Sequence, residues 1–146
     1  MRLEGSVVIG APRDEVWAFL LDPDRVASCL PGVESIERLE DGRFRASARI
    51  GAGFFSTKVA VTGTYTEVRP PTEMTIVARG SAHGSSGETT ARIVLRDGEA
   101  GDTVVDWTAE VTLGGMIAAF EGRLADGTAE RLVAEVFGCI RSRLEA

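Results

Sequence analysis

Between residues 33 and 113 the sequence passes through six strand-length stretches in which apolar and polar side chains alternate, each closed by turn residues. A two-residue period puts alternate side chains on opposite faces of a sheet. The stretches fall at about 33–40, 43–50, 56–68, 73–82, 88–97 and 102–113. The breaks are Asp41-Gly42, Gly51 to Gly53, Pro70-Pro71, a Gly/Ser cluster at 84–87, and Asp97-Gly98. Strands joined this closely predict an antiparallel meander. Residues 2–9 add a seventh strand, with Leu3, Gly5, Val7 and Ile9 on one face. Pro12 then opens a short helix, and Asp22-Pro23 opens a second that ends at Pro31-Gly32.

One face of this sheet collects Phe44, Ala46, Ala48, Val59, Val61, Met74, Ile76, Ala78, Ile93, Leu95, Val105 and Trp107, while the other carries most of the arginines. A sheet with one wet face needs a cover for the dry one. Residues 114–137, GGMIAAFEGRLADGTAERLVAEVF, predict that cover as a long amphipathic helix. The expected class is therefore α+β, a seven-stranded antiparallel sheet wrapped around a long C-terminal helix, with two short helices after the first strand. On a 3.6-residue period Ala118, Gly122, Ala125, Ala129, Leu132, Val133, Val136 and Ile140 share one side of the helix. Gly122 and Gly127 would each cost about 1 kcal/mol relative to alanine in a helix interior.

Chain direction suggests what that cost accommodates. The loops at 51–56, 81–87 and 113–116 and the turn at 30–33 fall at one end of the meander, here called the mouth. Small residues, Ala46, Ala48, Gly80, Ala82, Ala118 and Gly122, gather toward it; large ones, Met74, Ile76, Leu95, Leu132, Val133 and Val136, gather at the far end. Small residues on facing surfaces leave space, and ligand sites are apolar and concave. The candidate ligand-binding residues on the strands are Ala48, Ile50, Val61, Gly63, Ala78, Gly80, Ala82 and Trp107. On the helix they are Met116, Ala118, Phe120 and Gly122. Phe54 and Phe55 follow a glycine-rich turn, and alternation can bury only one of them, so they are expected at a portal. His83, the one histidine, sits in the mouth loop GSAHGSSG, where it could contact a ligand headgroup such as a quinone carbonyl.

Composition narrows the function classes. The 146 residues, 44% hydrophobic and 26% charged, suit one domain spanning 1–146. A formal net charge of −6 argues against nucleic acid as a partner. No signal peptide or membrane span is legible, so a cytoplasmic location is expected. Cys29 and Cys139 read as buried free thiols. Metal binding is not expected, because the lone histidine has no Cys or His at ligand spacing. No catalytic residue is assigned: the inward strand positions carry no carboxylate, and no GxSxG elbow accompanies Ser81, Ser85 or Ser86.

The order of elements resembles the helix-grip fold of the StAR-related lipid-transfer and polyketide-cyclase superfamily. Within it, APRDEVWAFLLDP, CLPGVESIE and LADGTAERL resemble the family of the carbon monoxide dehydrogenase protein CoxG, and the resemblance spans nearly the whole chain. It implies a non-catalytic accessory protein of molybdenum-containing carbon monoxide dehydrogenases or related hydroxylases, linked to membrane recruitment and quinone acceptors. No covalently bound cofactor is implied, and a quinone or lipid is the ligand to expect. Members of that family often carry a C-terminal membrane-binding extension, whereas this sequence ends at Leu144-Glu145-Ala146. At most transient contact with the inner face of the membrane is therefore expected. The alternative is a polyketide cyclase-like enzyme using the same cavity, with His83 or Tyr65 as acid or base.

Overall fold

The computed structural model describes residues 1–50, 57–82, 84–115, 118, 127 and 129–145, with the backbone alone at Ile50. Seven strands form one sheet: β1 (Arg2–Ile9), β2 (Val33–Arg38), β3 (Arg43–Ile50), β4 (Thr57–Arg69), β5 (Glu73–Ala82), β6 (Ser85–Asp97) and β7 (Thr103–Gly115). Two short helices, α1 (Arg13–Leu20) and α2 (Pro23–Ala27), follow β1, and α3 (Ala129–Leu144) follows β7. The spatial order is β1-β7-β6-β5-β4-β3-β2, so every hairpin pairs with its sequence neighbour and β1 closes onto β7. All neighbouring pairs are antiparallel.

Three expectations change. The helix expected at 114–137 does not begin there, because β7 continues through Gly115 to pair with Ser85. The helix that is described, Ala129–Leu144, starts later and ends later. Gly127 has φ +88°, a left-handed conformation outside any α-helix, so glycine there carries no helix-interior cost. Leu132, expected on the packed side, is 46% exposed; Ala129 and Ile140 are the helix residues that become buried. Finally, Cys29 and Cys139 are not free thiols. They form a disulfide with Cα atoms 5.5 Å apart, tying the residues just after α2 to the C-terminal half of α3.

The densest packing lies at the end of the sheet away from the Ala82–Ser85 hairpin. Ile9, Val16, Phe19, Leu20, Met74, Leu95, Val105 and Ile140 are almost fully buried there, with α1 and α3 contributing beside the strands. Trp107 and Phe137 bring sheet and helix together, their ring centroids 6.2 Å apart. Glu145 accepts a 2.7 Å hydrogen bond from the Gly10 N–H and fixes the end of α3 against the β1–α1 corner. The outer face carries cross-strand ion pairs, among them Arg96–Asp106, Arg92–Glu73 and Arg79–Glu88. Their exposure limits each to a small stabilisation.

Asp22 starts α2 by accepting hydrogen bonds from the N–H groups of Asp24 (3.0 Å) and Arg25 (3.3 Å). Partial burial works to raise its pKa, but the Arg25 N–H, the Arg38 guanidinium and the Asp24 N–H outweigh that and hold it below the usual carboxylate range. A depressed carboxylate pKa stabilises the fold above the unfolded value, and the contribution is lost as pH falls through the folded value. Asp22→Ala is expected to cost about 1 kcal/mol near neutral pH. The difference from the unmodified protein should shrink as the pH drops below 4, as urea titrations at several pH values would read.

Candidate functional site

The inner face of the sheet is graded, and the strand register shows how. In one transverse row Ala46, Val61, Gly80, Gly87 and Leu113 stand side by side. On the hairpin side of it lie Ala48 opposite Val59, and Ala82 opposite Ser85. On the other side comes the row Phe44, Gly63, Ala78, Thr89 and Val111. Beyond that comes a mixed row, Tyr65, Ile76, Ala91 and Ala109, and then the large Met74, Ile93 and Trp107. Alternation therefore does two jobs here. It keeps one face apolar, and the size of the apolar residue decides where that face is filled.

Over the small rows the structure has a cavity of about 330 Å³. Its described walls are Val59, Val61, Ala78, Gly80, Ala82, Gly87 and Leu113, with Thr57, Ser85, Ser86 and Thr89 as the polar members. Gly80 and Gly87 are directly paired. Among the described residues, a Cβ at Gly87 would meet only the tip of Leu113, at 3.5 Å. No charged side chain lines the cavity among the described residues. The size is near the lower end of the roughly 300–1,000 Å³ usual for small-molecule sites.

Of the candidate residues, Val61, Ala78, Gly80 and Ala82 line this cavity. Gly63 lies on the same face but is buried beneath the Phe44 ring, which occupies the space a side chain there would need. Trp107 lies farther along the face, covering Gly5 and leaning on Phe137 rather than lining the cavity. Ala48 belongs to the same face beside Val59, and Ala118 is half-buried. Phe54, Phe55, His83, Met116, Phe120 and Gly122 lie outside the described residues, as does the side chain of Ile50.

The sequence reading missed Thr57, Val59, Ser85, Ser86, Gly87, Thr89 and Leu113 as wall residues. A signal was present in the alternation Ser85, Gly87, Thr89, Ala91, which continues β6 back to the turn. Glycine and serine at 84–87 instead resemble a loop. In the fold, Ala82 pairs with Ser85, leaving a two-residue connection in which Gly84 takes φ +77°.

Among the described residues, acid–base chemistry has little to work with near this space. Tyr65 donates its hydroxyl proton to the Leu20 carbonyl oxygen at 2.9 Å, and burial, with the charge of Asp22 second, pushes its pKa up to about 12. Such a phenol is not a base near neutral pH. Among the described residues no cluster of His, Cys, Asp or Glu could hold a metal ion, and no helix is long and apolar enough to cross a membrane.

No curated protein matches the chain. Among solved structures, a conserved protein from Geobacillus kaustophilus is similar over 99% of this chain and 95% of its own, with TM-score 0.90 and 23% identity. A START superfamily protein from Mycobacterium smegmatis aligns with TM-score 0.75 at 10% identity, covering 99% of this chain and 97% of that one. The Zhui aromatase/cyclase from Streptomyces sp. R1128 aligns with TM-score 0.73 at 16% identity, over 99% and 93%. At these identities the likeness shows a shared helix-grip, START-like fold. The model of one sequence family, CoxG (a carbon monoxide dehydrogenase subunit), matches residues 5–145, and the chain accordingly belongs to that family.

Proposed function

We propose that the protein binds a quinone or similar lipid in the cavity above Gly80 and Gly87. In that role it serves a molybdenum-containing carbon monoxide dehydrogenase, or a related hydroxylase, as an accessory coupling the enzyme to a membrane electron acceptor. The observation that carries the binding half is the cavity itself: about 330 Å³, walled by small apolar residues and hydroxyls, with no charged side chain among its described residues. The partner half rests on family membership. Carriage rather than catalysis is supported by Tyr65, whose proton is committed to a backbone carbonyl and whose pKa lies far above neutrality.

The test uses one glycine. Gly87→Ile would add a β-branched side chain, on a strand that favours such residues, where among the described residues only the tip of Leu113 comes near. The variant is expected to melt within a few degrees of the unmodified protein, or above it, while losing at least tenfold in affinity for a short-chain quinone. Mass spectrometry of organic extracts should find a quinone or neutral lipid copurifying with the unmodified protein and absent from the variant. Retained binding with lowered stability would mean that the space is packed core and not a ligand site.

A further inference from the structure

The sheet ends in two edge strands, β1 and β2, and the molecule treats them differently. An open edge invites pairing with another strand unless charge, a bulge or a covering element blocks it. β2 has all three: a register shift between Val33 and Ser35, the charged Glu34, Glu37 and Arg38, and α2, at whose start Asp22 and Asp24 hold the Arg38 side chain. β1 carries charge only at Arg2 and Glu4, and from Gly5 to Gly10 it is uncharged. Met1 and Val111 exchange both of their backbone hydrogen bonds, so every second residue of β1 turns its backbone groups toward β7. The N–H and C=O groups of Glu4, Ser6 and Val8 point the other way, and among the described residues no backbone group bonds to them.

α3 runs beside this edge, with a groove of about 280 Å³ between helix and strand. The helix wall is low because Ala134 and Gly138 are small and exposed; Glu130 stands at one end and Arg141 at the other. The Gly10–Glu145 hydrogen bond sets the level of helix against strand. Ser6 lies four residues back along β1, about 14 Å, which α3 covers in about nine residues, at Val136. The contact of Phe137 with Trp107, the register partner of Gly5, gives the same level independently. Glu130 and Arg141 therefore stand at nearly equal lengths of helix to either side of Ser6.

From this placement we infer that the β1 edge docks on a second copy of itself. The two β1 strands pair antiparallel about a twofold axis at Ser6, with Glu4 opposite the partner's Val8, and the sheets join edge to edge. A twofold contact must be self-complementary, and this one is. No like charges oppose one another along β1, and each Glu130 comes opposite the partner's Arg141. The small Ala134 and Gly138 let the two helices approach above the joined strands. A strand from a different protein would satisfy the same backbone groups, but it would not require opposite charges at equal distances from Ser6.

Sedimentation velocity over a dilution series should show a dimer that falls apart to monomer. Glu130→Arg and Arg141→Glu each set like charges opposite one another twice over, and each should raise the dissociation constant at least about tenfold. Both side chains are exposed, so melting should change little. Mixed in equal amounts, the two variants should dimerise again, since each then offers the charge that the other lacks. Ser6→Lys, which sets two ammonium groups face to face on the axis, should be monomeric. Amide hydrogen exchange at Glu4, Ser6 and Val8 should slow as the protein concentration rises. Dimers indifferent to all three substitutions, a mixture no more associated than its components, or slowed exchange at β2 instead would put the contact elsewhere and overturn the inference. A monomer at every concentration up to about 1 mM would overturn a second copy as the occupant of this edge, while leaving the ligand reading of the cavity untouched.

Discussion

Reducing the Cys29–Cys139 disulfide, or replacing both residues with alanine, should lower the unfolding free energy by about 4 kcal/mol. The bond closes a loop spanning 110 positions of sequence, which contains β2 through β7 and most of α3. In the chain-entropy account such a loop restricts the unfolded state by about 5 kcal/mol, and residual structure in that state reduces the effect. Urea titrations with and without reductant give the loss directly. If the mechanism is the unfolded chain, the slope of free energy against urea should also steepen once the bond is gone, because the freed chain exposes more surface. A loss below about 1 kcal/mol, at the bottom of the range for such bonds, would show that Ile140, Phe137 and the Gly10–Glu145 hydrogen bond hold α3 without covalent help.

The second large effect is expected at Gly63. It is buried, and the Phe44 ring from the neighbouring strand occupies the position its Cβ would take. That ring is also fixed from the side by Tyr65, at 5.8 Å between centroids. Gly63→Val must therefore displace an aromatic side chain within a packed layer, and should cost about 3 kcal/mol. Adding Phe44→Ala should recover part of the loss, since the two residues compete for one volume; such non-additivity marks a direct contact. Thermal melts of the two single variants and the double variant supply the cycle. A Gly63→Val protein as stable as the original would mean that the Phe44 ring can leave at little cost. Gly87, one row away, is expected to tolerate a larger side chain, so the contrast between these two glycines separates filled from open space on one face.

Much of this architecture is legible in the sequence, for physical reasons. Alternation over β3 to β7 gives both the strands and the side that faces inward, because a period of two cannot be satisfied by a helix. Arginine on the polar positions, with Glu73, Glu88 and Asp106 across from it, reads as a wet face and is one. What sequence could not supply is which small residues face open space. Gly63 and Gly80 are equivalent by pattern; only the three-dimensional course of the Phe44 side chain distinguishes them. Trp107 is likewise inward by parity, yet its partner is Phe137, eight residues into a helix whose start the glycine-rich stretch obscures. Two cysteines 110 positions apart form no motif, and their pairing depends on the helix reaching the corner beside α2.

The closing of β1 onto β7 sets an order in time. Five of the six strand pairings join sequence neighbours, so β2 to β7 can zip up hairpin by hairpin as the chain is made. β1 is made first, yet 100 residues separate Ser6 from Asp106, which accepts its hydroxyl hydrogen bond. At translation rates of about 5–20 residues per second, the N-terminal strand therefore waits roughly 5–20 s for its strand partner. The alternating charges of Arg2 and Glu4 keep that waiting segment compatible with water. A chain released before residue 103 would have five strands, β2 to β6, with an open edge, no covering helix and an unattached first strand, the form of this protein most in need of a chaperone.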